Sequence, residues 1–135
     1  MILVDTSVLI DFFKGGKNDS AQKFRRVLER RIPFGINSFI YQEILQGAKS
    51  EKEYELLKHC LMKRHFYHPK HPIDSFEKAA RIYLDCRKKG ITVRSTIDCI
   101  IAQTAIEHNL MLLHNDKDFE AISGVIPSLQ FYCDT

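Results

Sequence analysis

The chain has 135 residues, 44% of them hydrophobic and 27% charged, with 20 Lys and Arg against 17 Asp and Glu for a net charge of +3. That length suits one domain over residues 1–135 with a core of its own, and the composition excludes a disordered, fibrous or membrane-spanning chain, since no apolar run approaches the roughly 20 residues that cross a bilayer. The N-terminus meets a carboxylate after three apolar residues and carries no basic region, so it reads as a buried strand rather than a signal peptide, and the expected location is the cytoplasm.

Ile2-Leu3-Val4 is an uninterrupted apolar run of the kind found in central parallel strands, and Asp5-Thr6-Ser7 leads from it into a helix through Val8, Leu9 and Ile10. Gly15-Gly16-Lys17-Asn18 breaks that helix, and Ser20 is the expected cap of a second one whose apolar face holds Phe24, Val27 and Leu28. Pro33 to Ile36 predicts a short strand. Asn37-Ser38 offers caps for a third helix, from Phe39 to about Gly47, which contains Glu43. Ser50 opens a fourth helix, and Phe66-Tyr67 predicts a short strand closed off by Pro69 and Pro72. Asp74 or Ser75 is expected to cap a fifth helix that ends at Lys88-Lys89-Gly90. Asp98 stands at the start of a sixth, rich in Ile and Ala, which His108-Asn109 stops. Leu110 to Leu113 is a second uninterrupted strand, Asp116 leads a short helix, and Leu129 to Tyr132 predicts a last strand. Strands alternating with helices argue an α/β fold with a parallel sheet covered on both faces.

In such sheets the active site gathers at the carboxyl ends of the strands. Asp5 and Asp116 both follow strands, and Glu43 and Asp98, taken as lying early in two helices, can reach the same end. Like charges drawn together from distant parts of a chain raise each other's pKa unless a cation holds them ionised, so this set of four acids implies a metal. Oxygen ligands suit Mg²⁺, which keeps several waters and takes phosphate oxygens as further ligands. Phosphodiester hydrolysis fits, with two ions about 3.5–4 Å apart activating a water and stabilising the leaving oxygen. Asp116 and Asp118 compete for one role, and the reading favours Asp116, with Asp118 as a capping or secondary residue. Asp11 reads as a solvated helix residue.

The basic residues cluster in Lys23-Phe24-Arg25-Arg26 with Arg30-Arg31, and in Arg87-Lys88-Lys89, either as solvated helix faces or as contacts to a polyanion. Arg94, four residues before Asp98, is a candidate contact to RNA phosphate. His65, His68 and His71 recur every third residue, but Pro69 and Pro72 interrupt any helix that would align them for zinc. Cys60, Cys86, Cys99 and Cys133 include no C-x-x-C pair and read as reduced, Cys99 in a core.

Asp5-Thr6-Ser7-Val8-Leu9-Ile10-Asp11 resembles the opening motif of the PIN-domain ribonucleases, Ser38 through Glu43 to Gly47-Ala48 their second, Ile97-Asp98-Cys99-Ile100-Ile101-Ala102 their third, and Asn115-Asp116-Lys117-Asp118-Phe119 their fourth. The four occur in order over nearly the whole chain, and the length is similar to that of the VapC-type toxins of toxin–antitoxin pairs. The resemblance implies a three-layer α/β/α domain with about five parallel strands and an acidic pocket that binds Mg²⁺ or Mn²⁺ and cleaves RNA internally. Carried over, Asp5, Glu43 and Asp98 become the central ligands and Asp116 binds a second ion or orients water, with Ser7, Asn115 and Asp118 in support. His114 departs from the Thr or Ser usual in the family, which implies altered hydrogen bonding there. The resemblance also implies a homodimer held inactive by an antitoxin, whose helix lies in an apolar groove near the site; Phe12, Phe13, Phe24, Phe39, Ile40 and Tyr41 are candidates for that groove.

Three other readings stay open. A covalent aspartyl phosphatase would begin D-x-D, where this chain has Ser7 in the second position. A non-catalytic binding module could keep the fold, and a PIN nuclease could serve RNA maturation rather than toxicity.

Overall fold

The computed structural model describes residues 1–134. The apolar runs with no alternation of polar residues form the buried inner strands β1 (Ile2–Val4), β2 (Phe34–Ile36) and β4 (Met111–Leu113), while the two-residue strands β3 (His65–Phe66) and β5 (Gln130–Phe131), each with an exposed polar residue, form the edges. They pair only in parallel, in the order β3-β2-β1-β4-β5, with Val4 opposite Leu113 and Leu3 opposite Gly35.

Among the described residues the strands are joined by α1 (Thr6–Phe13), α2 (Asp19–Glu29), α3 (Ser38–Gln46), α4 (Glu51–Leu61), α5 (Asp74–Lys88), α6 (Thr96–Glu107) and α7 (Lys117–Val125). The chain moves one way from β1 to β3, then crosses back to β4 and on to β5. Right-handed crossovers in opposite directions place helices on opposite faces. Accordingly α1 packs on α2 and α3, and α3 on α4, while α5, α6 and α7 pack on one another, which makes the three layers. Helix α6 is buried from Asp98 to Ala105, so it is enclosed on every side at the centre of its layer, with Asp98, Gln103 and Thr104 as its buried polar residues. Among the described residues no helix is long and apolar enough to cross a membrane.

The expected elements are found, with β4 and β5 shorter than the expected Leu110 to Leu113 and Leu129 to Tyr132, and with three further differences. Helix α2 is capped by Asn18, whose Oδ1 accepts from Ala21 N at 2.9 Å, and not by Ser20, which is buried inside the first turn. Helix α5 has no side-chain cap: Asp74 pairs instead with Lys78 at 3.1 Å, and Ser75 Oγ accepts from His71 N at 3.1 Å. Strand β3 begins one residue early, at His65, because His65 already pairs with Gly35, and Tyr67 N still donates to Ile36 O at 2.8 Å just past the strand.

Four helices end in the same way, with a left-handed residue followed by an amide that reaches back five residues. Gly15 (φ 74°), Arg31 (φ 53°), Gly90 (φ 78°) and Asn109 (φ 55°) hold the left-handed positions, and the amides of Gly16, Ile32, Ile91 and Leu110 close the bonds at 2.8–3.0 Å.

Gly35 is required by close approach. A Cβ there would lie 2.5 Å from the Tyr67 ring and 2.7 Å from the His65 carbonyl oxygen. Gly35→Ala is therefore expected to cost about 2 kcal/mol of stability by prying β3 from β2, read as a lower urea midpoint; an unchanged midpoint would contradict this packing.

Candidate active site

Strands β1 and β4 lie side by side, and their onward connections run in opposite directions, so a crevice opens beyond their carboxyl ends. Asp5 N donates to Leu113 O at 2.9 Å, which sets the first loop against the loop after β4. Asp5 is 4% exposed and caps α1, its Oδ2 accepting from Ser7 N at 3.1 Å and Ser7 Oγ at 2.6 Å. Ser7 Oγ in turn accepts from Asn115 N at 2.9 Å, and Asn115 Nδ2 donates to Asp11 Oδ2 at 3.0 Å. Asp11 also receives Asn18 Nδ2 at 2.8 Å, so it ties two loops to α1 and is not the solvated residue expected.

Glu43 sits in the second turn of α3, later in its helix than expected, where Thr6 Oγ1 donates to its Oε1 at 3.0 Å. Asp98 is the third residue of α6 and is buried. One carboxylate oxygen each from Asp98, Asp116 and Asp118 lies within 4.8 Å of the others. The capping roles are reversed from expectation. Asp116 caps α7 by accepting from Asp118 N at 2.9 Å, while Asp118 is buried and accepts from Arg94 N at 3.1 Å. The exposed Arg94 guanidinium spans both acids, 3.4 Å from Asp118 and 3.9 Å from Asp116.

These charges act on one another. Burial pushes the Asp98 carboxyl up to about 7, and Asp116, Asp5, Asp118 and Glu43 push in the same direction with no hydrogen-bond donor to oppose them. Burial also raises Asp5, with Glu43 adding to it and the two Ser7 hydrogen bonds opposing. His114 is driven the other way by burial, and its Nδ1 accepts from Asp116 N at 3.1 Å, which fixes the neutral ring with its proton on Nε2. Its ring packs 4.4 Å from that of Phe131 and 5.3 Å from that of Phe119. The altered hydrogen bonding expected at His114 therefore takes the form of a ring nitrogen accepting the Asp116 amide.

The donor set fits a hard divalent cation. It is all carboxylate oxygen, it converges from separate elements, and Asp98, buried among the others, has no donor from the chain to stabilise its charge. The histidines at 65, 68 and 71 do not converge: His65 packs on Tyr67, His68 approaches Ser38 Oγ at 3.4 Å, and the His71 amide bonds to Ser75. All four cysteines are free, and burial lifts the Cys99 thiol to about 11.

Two cavities flank the acids. One of about 570 Å³ is lined by Lys23, His114, Asp116, Lys117, Phe131 and Tyr132. Another of about 200 Å³ carries Glu43 at its edge among Ile10, Phe13, Ile44 and Leu57. Of the candidate groove residues, Phe24 and Ile40 are core, Phe12 packs on Phe24 at 4.9 Å, and Tyr41 packs on Phe66 at 5.2 Å. Phe39 lines a separate cavity against α5 and α6. The first basic cluster divides: Lys23 faces the site, Arg26 pairs with Asp134, and Arg25 lies over Phe12.

The PIN domain family model matches residues 2–125. Ribonuclease VapC11 of Mycobacterium tuberculosis is 35% identical over 126 residues, 93% of each chain. A toxin–antitoxin complex from Klebsiella pneumoniae superposes with a TM-score of 0.68 at 26% identity, covering 97% of this chain and 100% of the other. VapBC2 of Rickettsia felis, bound to a DNA fragment from its promoter, gives a TM-score of 0.72 at 20% identity over 98% of both chains, which is a likeness of fold.

The raised Asp98 pKa has a definite sign. The folded metal-free protein keeps a proton that the unfolded chain releases near pH 4, so this contribution to stability is complete below about pH 4, falls progressively as pH rises, and is gone above about 7. Thermal unfolding without metal is expected to show a lower Tm at pH 8 than at pH 5.5, a difference that Asp98→Asn reduces. An equal or larger difference in Asp98→Asn would place its origin elsewhere.

Proposed function

The chain belongs to the PIN domain family, and from that premise we propose that it is a divalent-metal-dependent endoribonuclease, the toxin of a VapBC-type toxin–antitoxin pair, acting as a single catalytic domain over residues 1–135. The observation that carries this is the convergence of Asp98, Asp116 and Asp118 within 4.8 Å beside the buried Asp5. Asp5, Glu43, Asp98 and Asp116 are the ligand candidates, with Asp118 joining them, and Mg²⁺ or Mn²⁺ is the ion. Bound there, the ion supplies Lewis-acid polarisation of the phosphoryl group and lowers the pKa of an attacking water.

The chain's own residues do the positioning. Ser7 holds Asp5 and the Asn115 amide together, and Thr6 holds Glu43, so each acid is fixed before substrate arrives. Arg94 at the rim, with Lys23 and Lys117 along the adjoining cavity, faces an approaching RNA backbone. His114, Phe131 and Tyr132 line the same cavity and offer ring faces to a base.

Inhibition follows from the second cavity. An antitoxin helix laid along Ile10, Phe13, Ile44 and Leu57 ends beside Glu43, where a basic side chain neutralises the acids in place of the metal. The reading is supported by the Klebsiella pneumoniae neighbour, itself a toxin–antitoxin complex. A homodimer belongs to the same reading, supported by the exposed Phe76 and Leu84 on α5.

Purified protein is expected to cut RNA into discrete fragments with Mg²⁺ or Mn²⁺ and to stop in EDTA. Asp5→Asn and Asp98→Asn abolish cleavage, and Thr6→Val, which frees Glu43, slows it by about 10-fold or more. Cleavage that survives in EDTA or in Asp98→Asn contradicts the mechanism.

A further inference from the structure

At the opposite end of the sheet from the acids, the amino ends of β2 and β3 border a cavity of about 430 Å³ lined by Arg31, Lys63, Arg64 and His65 with Pro33 and Phe34. No carboxylate lines it. Five of the 20 Lys and Arg residues find acidic partners in the chain, and among the described residues Arg31, Lys63 and Arg64 belong to the larger number that do not. The Arg64 guanidinium lies 5.0 Å from the centre of the Phe34 ring, which steadies one cation at the cavity without neutralising it. Three positive charges gathered around one concavity repel one another and create a local positive potential.

Arg31 adds a second and independent observation. It occupies the left-handed closing position of α2, and the three other helices that close in the same way place Gly15, Gly90 and Asn109 there. Those are the residue types that tolerate this conformation, whereas an arginine is disfavoured in it by its Cβ. The chain thus keeps an arginine where its own three equivalent turns use glycine or asparagine, and the side chain so placed lines the basic cavity.

We propose that this cavity is a second RNA contact, in which Arg31, Lys63 and Arg64 bind backbone phosphates of the strand that is cut at the acidic cluster. Guanidinium groups match phosphate oxygens in a two-point geometry, and Lys63 adds a point charge. The distance is within reach: β2 is three residues long, or roughly 10 Å, and its far end leads into α3, which carries Glu43. The inference rests on the nuclease reading for the identity of the polyanion. Cleavage is thereby favoured for RNA long enough to touch both ends of the sheet.

Binding of a fluorescent single-stranded RNA of about 20 nucleotides is measured by anisotropy in EDTA on the full chain, for the wild type, Arg31→Gly and Arg64→Ala. Arg31→Gly is expected to weaken binding about 5-fold, to lower the slope of log K against log salt by about 0.7, and to raise Tm by about 3 °C, because glycine relieves the turn. A trinucleotide, too short to span the sheet, binds all three proteins equally. Unchanged 20-mer affinity in both variants overturns the proposal. Inorganic pyrophosphate that protects these residues while RNA affinity is unaffected would assign the cavity to a free phosphate compound instead. Loss of antitoxin binding with RNA binding intact would assign it to an acidic protein segment. A wild type that binds the 20-mer through Arg31 but never cleaves it with metal defeats the nuclease reading and leaves this contact standing.

Discussion

Mutual repulsion among buried carboxylates is the constraint around which the site is built. Burial pushes the Asp98 carboxyl up to about 7, and its four acidic neighbours add to that push. A fold tolerates such a cluster only where the surroundings hold it rigid and where a cation can offset the repulsion. The rigidity is visible in the partners of each acid. Asp98 rides on a helix buried from end to end of its inner turns, Ser7 clamps Asp5, Thr6 clamps Glu43, and the α7 amide of Asp118 holds Asp116.

Topology explains why these residues meet. The connections from β1 and β4 diverge, leaving the crevice uncovered, and the Val4 to Leu113 pairing brings the two following loops together. The same hydrogen bonds that tie those loops, from Asn115 to Ser7 and to Asp11, also set the acids' positions. Structure and site are therefore one network, and a change at Asp11 or Asn115 is felt at Asp5. The amino end of the sheet carries the basic cavity of Arg31, Lys63 and Arg64, away from the acids.

Much of this was legible in the residues. Ile2-Leu3-Val4 and Leu110 to Leu113 read as strands because burial on both faces removes any alternation, and Asn37 and Ser50 read as caps because each stands just before an apolar periodic stretch. The four acids are brought to one region of the molecule, in the order of the motifs. What stayed hidden depends on tertiary partners. Asn18 and Ser20 are equally good caps by type, and only the packing of Ser20 into the first turn decides between them. Asp116 and Asp118 differ by two positions on one turn, and the Arg94 amide draws Asp118 inward. Thr6 was given no role because its partner, Glu43, is 37 positions away. Asp11 was misread for the same reason, since its donors come from two loops. The one available signal was that Thr6 and Asp11 lie within the same short motif as Asp5 and Ser7.

The central claim is that the acidic cluster exists to hold a divalent ion, and anomalous diffraction from Mn²⁺-soaked crystals of the metal-free protein tests it most directly. The account predicts an anomalous peak in the β1–β4 crevice, bonded to Asp98 and to at least one of Asp5, Asp116 and Asp118 at about 2.1 Å. A fully ordered crevice at millimolar Mn²⁺ with no peak, the acids still packed against one another and Arg94 still across Asp118, would contradict it.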